Sequence, residues 1–331
     1  MNFTFLIGNG FDLNLRLKTD YQSFLHFYLA EGHDGSLTEE IKKDFDKWSD
    51  LEKQLGIYAG SVVDEDEQQF LEEKEEMDAS LVRYLTKENS CELIIGEDGA
   101  QEFKNKVVGF YQYLSNSEKA HYNSCVSKIN EAINYCFISF NYTDILDRIV
   151  SEARKIKVFS THSGGGTNRQ DYINIPVHIH GTLNSEMILG INDSSQIINN
   201  NKMNSGIVDY LVKPQVNNAL GNQRNEQVKS IIDGSRYICV FGMSLGITDK
   251  IWWEYISEWL RKSTDNRLIL FMYDSSGQTP IGSRSARMQD QYRRKYLDIS
   301  GKKNNDALKS QIIVLFGMPL FAFDIIRIVN K

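Results

Sequence analysis

Residues able to do chemistry cluster at four places in this chain of 331 residues. The first is Gly8-Asn9-Gly10-Phe11-Asp12, which ends the apolar run Phe3–Ile7. A strand that stops at paired glycines lets its backbone approach a phosphate closely. A dinucleotide fingerprint would carry a third glycine three positions later, where Leu13 stands. A tight strand-to-helix turn with no ligand fits the same residues. Asp12 could cap the next helix or hydrogen-bond a ribose hydroxyl.

The second place is Phe140-Asn141-Tyr142-Thr143-Asp144. An Asn at the end of a buried strand stands where α/β sheets bind ligands. Its amide both donates and accepts, so it could orient a water or a ribose hydroxyl. Asn141 or Thr143 could equally cap the following helix. The third is Val177-His178-Ile179-His180-Gly181. On a strand, His178 and His180 would share a face. One His-x-His supplies too few ligands for a metal without placed acids or cysteines. The pair reads as satisfied structural histidines, or as the source of a general base near neutral pH. The fourth is Phe241-Gly242-Met243-Ser244-Leu245-Gly246. Here a second strand stops at glycine, with a hydroxyl and bare amides suited to a phosphate or ribose. Met243 and the nearby tryptophans read as core.

Strand-like runs must position these groups. They are Phe3–Ile7, Tyr135–Phe140, Lys157–Ser160, Ile173–His180, Met187–Ile191, Tyr237–Phe241, Leu268–Tyr273 and Gln311–Phe316. A flexible turn is expected at Ser163-Gly164-Gly165-Gly166. Between the first two strands, residues 20–134 read as an all-helical insertion. Tyr21, Phe24, Leu25 and Tyr28 recur at helical spacing, as do Phe45, Trp48, Leu51, Leu55 and Tyr58. A long charged helix is expected over 64–86, and helix again over 101–133 after a turn at Gly96–Gly99. Residues 195–225 are polar and aperiodic, which predicts a long loop or cap. A helix over Ile247–Leu260, a basic helical stretch and a short terminal helix complete the pattern. Alternating strands and helices predict one α/β domain over 1–331, with a doubly wound, mostly parallel, Rossmann-like sheet.

Composition narrows the function. Hydrophobic content of 41% suits a sizeable core. No run of about 18 apolar residues occurs, so no membrane span is expected. The start lacks the basic and apolar regions of a signal peptide. Cys91, Cys125, Cys136 and Cys239 form no Cys-x-x-Cys pair, which suggests neither a zinc ribbon nor a redox motif. These features together lead us to expect a cytoplasmic protein. The net charge of −7 argues against broad binding to nucleic acid. The acid-rich 64–78 and the basic stretch from Arg284 to Lys309 read as solvated helix surface.

The order of the four motifs resembles the NAD-binding core of the sirtuin superfamily, where Gly-Ala-Gly, Gln-Asn-Ile-Asp, His-Gly and Gly-Thr-Ser-Leu follow one another. Across nearly the whole chain the closer resemblance is to the AbiH family of bacterial phage abortive-infection proteins. It is carried by Ile7–Asp12, Trp48-Ser49-Asp50-Leu51-Glu52, Phe140–Thr143, His178–Gly181 and Gly242–Gly246. These resemblances imply a sirtuin-like sheet holding NAD as substrate, with no metal. Gly8, Asn9, Gly10, Phe11 and Asp12 would contact the pyrophosphate and the adjacent ribose. Asn141 would hold the nicotinamide ribose and orient the attacking water, and His180 would be the catalytic base. Gly242 and Ser244 would contact the adenosine side. His178 has no counterpart, and Thr143 stands where the sirtuin pattern has Asp. The four-cysteine zinc module of sirtuin deacylases is absent, so a protein deacylase is not expected.

Nicotinamide is a cationic leaving group, and its loss passes through an oxocarbenium-like state. The resemblance therefore implies an NAD glycohydrolase, releasing ADP-ribose and nicotinamide on infection. Such an enzyme would harm its host unless restrained. The helical insertion or homo-oligomerisation is the expected restraint, and an unknown phage-derived trigger the expected release. The competing readings are a nucleotide-sensing module without turnover, a nuclease effector, and ADP-ribosyl transfer to a macromolecule.

Overall fold

The computed structural model describes residues 1–197, 205–273, 282–303 and 305–329. Part of the expected 195–225 loop therefore lies outside the described residues. Ten strands are described: β1 Asn2–Ile7, β2 Glu92–Ile94, β3 Asn134–Ser139, β4 Ser160–Gly164 and β5 Thr167–Ile173, then β6 Val177–His178, β7 Ser235–Phe241, β8 Arg267–Met272, β9 Ile312–Phe316 and β10 Arg327–Val329. The main sheet runs β4-β5-β3-β1-β7-β8-β9, with β6 also paired to β3. All its pairings are parallel except the β4–β5 hairpin at one edge. Numbered in chain order, the parallel strands β5, β3, β1, β7, β8 and β9 stand as 3-2-1-4-5-6. That order is doubly wound, with its switch point between β1 and β7.

Alternation along the central strands explains the two faces. Phe3, Phe5 and Ile7 join Tyr135, Phe137, Tyr237 and Cys239 in one core. Leu6, Ile138, Ile238 and Val240 enter the other, with Trp252, Trp253 and Trp259. The tryptophans are core, as their spacing suggested. Both Phe3 and Phe5 are fully buried; each such burial stabilises by about 1.5–3 kcal/mol. Helices Gly96–Val108 and Ile145–Ala153 cover the first face, and Arg224–Asp233, Lys250–Lys262 and Gly282–Ile299 the second.

The insertion divides into two parts with different partners. Helices Tyr21–Ala30, Ser36–Lys43, Leu51–Ala59 and Glu67–Asn89 build a third core together with Tyr142, Leu189, Ile191, Leu211 and Val212. Helices Gly96–Val108 and Asn116–Val126 instead serve the sheet core. Local capping starts several of these helices. Asp20 accepts from Ser23 N at 2.8 Å, and Glu73 accepts from Leu37 N at 2.7 Å.

Several expectations are corrected. The insertion is not all helix: β2 pairs antiparallel with β10, which replaces the expected terminal helix. Both strands are three residues long, too short for a periodic signal. Gly96–Gly99 is the first turn of a helix rather than a turn before one. The run Phe45–Tyr58 splits into a 3-10 turn, Phe45–Ser49, and a helix starting at Leu51, because Asp50 caps the latter. Met187–Ile191 is apolar because it packs under the helical layer, not because it is a strand; its only β contact among the described residues is Ile191 with Val212. Lys157–Phe159 precedes the strand that begins at Ser160. Chain interrupts the expected strand Ile173–His180, leaving Val177–His178 as a two-residue piece.

Candidate active site

A cavity of about 1260 Å³ opens at the carboxyl ends of β1, β7 and β8. Its wall includes Gly8, Gly10, Glu52, His180, Gly242 and Ser244. This is the switch point, where doubly wound sheets take ligands.

The glycines are required first by the protein itself. Gly8 N donates to Phe241 O at 2.9 Å, and Gly10 N to Gly242 O at 2.8 Å. The two strand-end loops are thus sewn together backbone to backbone. A Cβ on Gly10 would lie 2.5 Å from Gly242 Cα, and one on Gly242 would lie 2.7 Å from Phe11 N. Gly242 also has φ +70°, a region that L side chains avoid. Asn9 is committed as well: its Nδ2 donates to Thr19 O at 3.0 Å, and its Oδ1 accepts from Thr19 Oγ1 at 2.5 Å.

Three expected ligand contacts are not brought to the cavity wall. Phe11 is fully buried and packs on Phe321, because the short helix after Gly10 turns it into the sheet core. Asp12, 1% exposed, accepts from Asn141 Nδ2 at 3.1 Å and from Thr143 Oγ1 at 2.5 Å. Asn141 itself turns its amide inward to Asp12, and its Oδ1 has no partner among the described residues. Burial pushes Asp12 up to about 6, against the downward pull of the Thr143 and Asn141 hydrogen bonds. Asp144 pairs with Arg148 at 3.1 Å, away from this group.

The two histidines do not share a face, because the strand ends at His178 and the chain reverses at Gly181, φ +77°. His178 Nδ1 lies 2.8 Å from Asn141 O, and its Nε2 lies 2.7 Å from Asp147 Oδ2. Burial opposes its charge, but Asp147 and the Asn141 carbonyl outweigh burial and raise its pKa. His178 is therefore a clamp on the Asn141 backbone, held from helix Ile145–Ala153.

His180 faces a different set. Its Nδ1 is 3.4 Å from Lys213 Nζ, which also donates to Glu52 Oε1 at 2.7 Å. Glu52 accepts from Tyr21 OH at 3.0 Å as well, with Tyr142 OH 3.4 Å from the same oxygen. Burial, reinforced by Lys213 and Arg224, drives the His180 pKa well below its usual value. Lys213 has only donors, so His180 Nδ1 must accept and Nε2 must carry the proton. His180 thus presents an N–H rather than a lone pair. Asp249 lines the same cavity. Loss of solvent pushes its carboxyl up to about 7, opposed by Lys213 and reinforced by Glu52 and Asp50.

Glu52, Lys213 and Asp249 had no assigned role in the sequence reading. One signal was present: Glu52 stands among Leu51, Leu55 and Ala59 on the buried side of its helix, where an unpaired acid would be costly. Lys213 and Asp249 carried none. Half of the basic stretch is ion-paired: Asp290 holds Arg294 and Lys309, Glu258 holds Lys302, and Asp298 holds Lys303. All four cysteines are free.

These features define an α/β protein with a polar crevice at the carboxyl ends of a mostly parallel sheet. The chain belongs to the AbiH family: the family model described as Bacteriophage abortive infection AbiH matches residues 4–273. That match includes all four motifs and the Glu52, Lys213 and Asp249 cluster, and it ends before β9 and β10. None of the curated proteins matches the chain. The family puts the protein among bacterial proteins of phage abortive infection. Among the described residues no helix is long and apolar enough to cross a membrane.

Proposed function

We propose that the strand-end cavity binds NAD and hydrolyses it to ADP-ribose and nicotinamide during the infection response. The observation that carries this reading is the cavity itself. A switch-point crevice of about 1260 Å³ is large enough for a dinucleotide and carries a neutral imidazole beside carboxylates. The resemblance of the four motifs to the sirtuin core supports the same substrate.

In this reading the Gly8–Gly10 and Gly242–Ser244 loops cradle the phosphates and riboses. His180 Nε2–H donates to a ribose hydroxyl. Glu52 and Asp249 stabilise the oxocarbenium-like sugar, and Asp249, titrating near neutrality, takes the proton of the attacking water. Asn141, Asp12 and Thr143 hold the floor beneath this wall. The phage-derived trigger acts through the helical layer that supplies Glu52.

The test is NAD turnover by the purified protein, followed by chromatography, beside His180→Ala and Asp249→Asn. Nicotinamide release by the wild type, lost in both variants, supports the reading. Failure of NAD to bind by calorimetry overturns it, whatever the state of the trigger. Binding with no turnover under any infection lysate favours the sensing module instead.

A further inference from the structure

A second cavity, of about 240 Å³, shares His180 with the larger one. Helices Lys213–Ala219, Arg224–Asp233 and Lys250–Lys262 enclose it. Asn217 lines it and is only 2% exposed, yet its Oδ1 has no hydrogen-bond partner among the described residues. The same is true of Asn222 Nδ2 and His180 Nε2, and both residues line the same space. Buried polar atoms without partners are rare in folded proteins. Three around one small cavity point to something that binds there. Turning either amide end for end does not remove the need, since each carries both a donor and an acceptor.

The lining also limits what binds. Lys229 pairs with Glu226 at 2.8 Å, and Lys213 with Glu52 at 2.7 Å. His180 is neutral. No lining charge is left over for a phosphate or carboxylate. Ile179, Ile251 and Trp252 supply apolar wall. The volume matches about eight waters at about 30 Å³ each, so one ring compound fits and a dinucleotide does not.

We propose that this cavity binds a small neutral ring compound bearing adjacent N–H and C=O groups, held by Asn217, Asn222 and the His180 N–H. That amide edge is common to lactam nucleobases and pyridine carboxamides. The argument for the site rests on this lining and not on NAD turnover next door, but its occupant and NAD compete for the one His180 N–H.

The experiment is calorimetric titration of the full chain. Hypoxanthine and nicotinamide are the probes, with purine and pyridine as controls lacking the carbonyl. One probe binds at a single site, with its control weaker by about tenfold or more. The preferred probe identifies the source of the edge. Asn217→Leu and Asn222→Leu each weaken binding by about tenfold or more. Should Asn217→Leu fail to fold, Asn222→Ser, at a half-buried position, carries the test. Absence of binding by both probes, equal binding by the controls, or unchanged affinity in the folded variants overturns the proposal. Titrating NAD against the same variants separates this result from the fate of the larger cavity.

Discussion

Replacing Lys213 by Met should expose how strongly the helical layer and the sheet depend on each other. The Lys213 side chain is 1% exposed and that of Glu52 10%, with 2.7 Å between Nζ and Oε1. The substitution leaves Glu52 buried with, among the described residues, the Tyr21 and Tyr142 hydroxyls as its remaining partners. Breaking one side of a buried pair costs about 3–5 kcal/mol. Unfolding entropy of about 2.1 cal/mol/K per residue, over 331 residues, is about 0.7 kcal/mol/K. The melting temperature should therefore fall by about 4–7 °C. Adding Glu52→Gln removes the stranded charge and should recover more than half of that loss, a coupling of at least about 1.5 kcal/mol. The His180 pKa should rise in Lys213→Met. The rise is partial, because burial is the larger cause of its low value and Lys213 the second. Calorimetric melting of the four proteins of the cycle and a histidine NMR titration read both effects. A fall below about 1 °C, or a double variant no more stable than Lys213→Met, would refute the coupling.

Two further perturbations test the cradle and the floor. Gly242→Ala should destabilise by about 2 kcal/mol or more, since φ is +70° and the new Cβ meets backbone at 2.7 Å. Gly246→Ala, whose nearest neighbour is a hydroxyl at 3.3 Å, should be close to neutral, and equal melting shifts would contradict the packing argument. Asp12 titrates at about 6 in the fold and at about 3.9 unfolded, so the native state binds its proton more tightly. Its contribution therefore favours the fold at low pH, and about 3 kcal/mol of it is lost as pH rises from about 4 to about 6. Asp12→Asn should lack that loss; urea unfolding at several pH values checks it, and parallel stability curves for the two proteins would sink the assignment.

The sheet was legible because its central strands are apolar runs bounded by glycine or polar caps. Phe3–Ile7, Tyr135–Phe140, Tyr237–Phe241 and Leu268–Tyr273 all fall within a residue or two of observed strands. The edge was less legible. Strands β4 and β5 are built mostly of polar residues, so they carry no hydrophobic alternation. The four motifs do reach the strand ends, but residue type did not show direction. Asn141 and Asp12 face each other beneath the wall, and the glycines answer to each other's backbones before any ligand. Lys213 gave no signal because it meets Glu52 only through tertiary structure, from 161 residues away along the chain, and Asp249 because only the fold brings its turn to the same wall.

That distance bears on restraint of the site. The strand ends bring glycines and mostly apolar residues to the cavity wall, while its acids come from outside: Asp50 and Glu52 from the start of the helix Leu51–Ala59 and Asp249 from the turn before Lys250–Lys262. Lys213, paired with Glu52, fixes which nitrogen of His180 carries the proton. The layer holding Glu52 shares its core with Leu211 and Val212, immediately before Lys213. Lifting that layer alone would strand Lys213 at the cost of a broken buried pair, about 3–5 kcal/mol. Layer and lysine helix are therefore favoured to move together. On the proposed reading, a displacement that carries both away removes Glu52 from the cavity wall and frees His180 Nδ1 from its cation, so it takes the site apart. The helical layer is thus physically able to set both the acid and the histidine of the site.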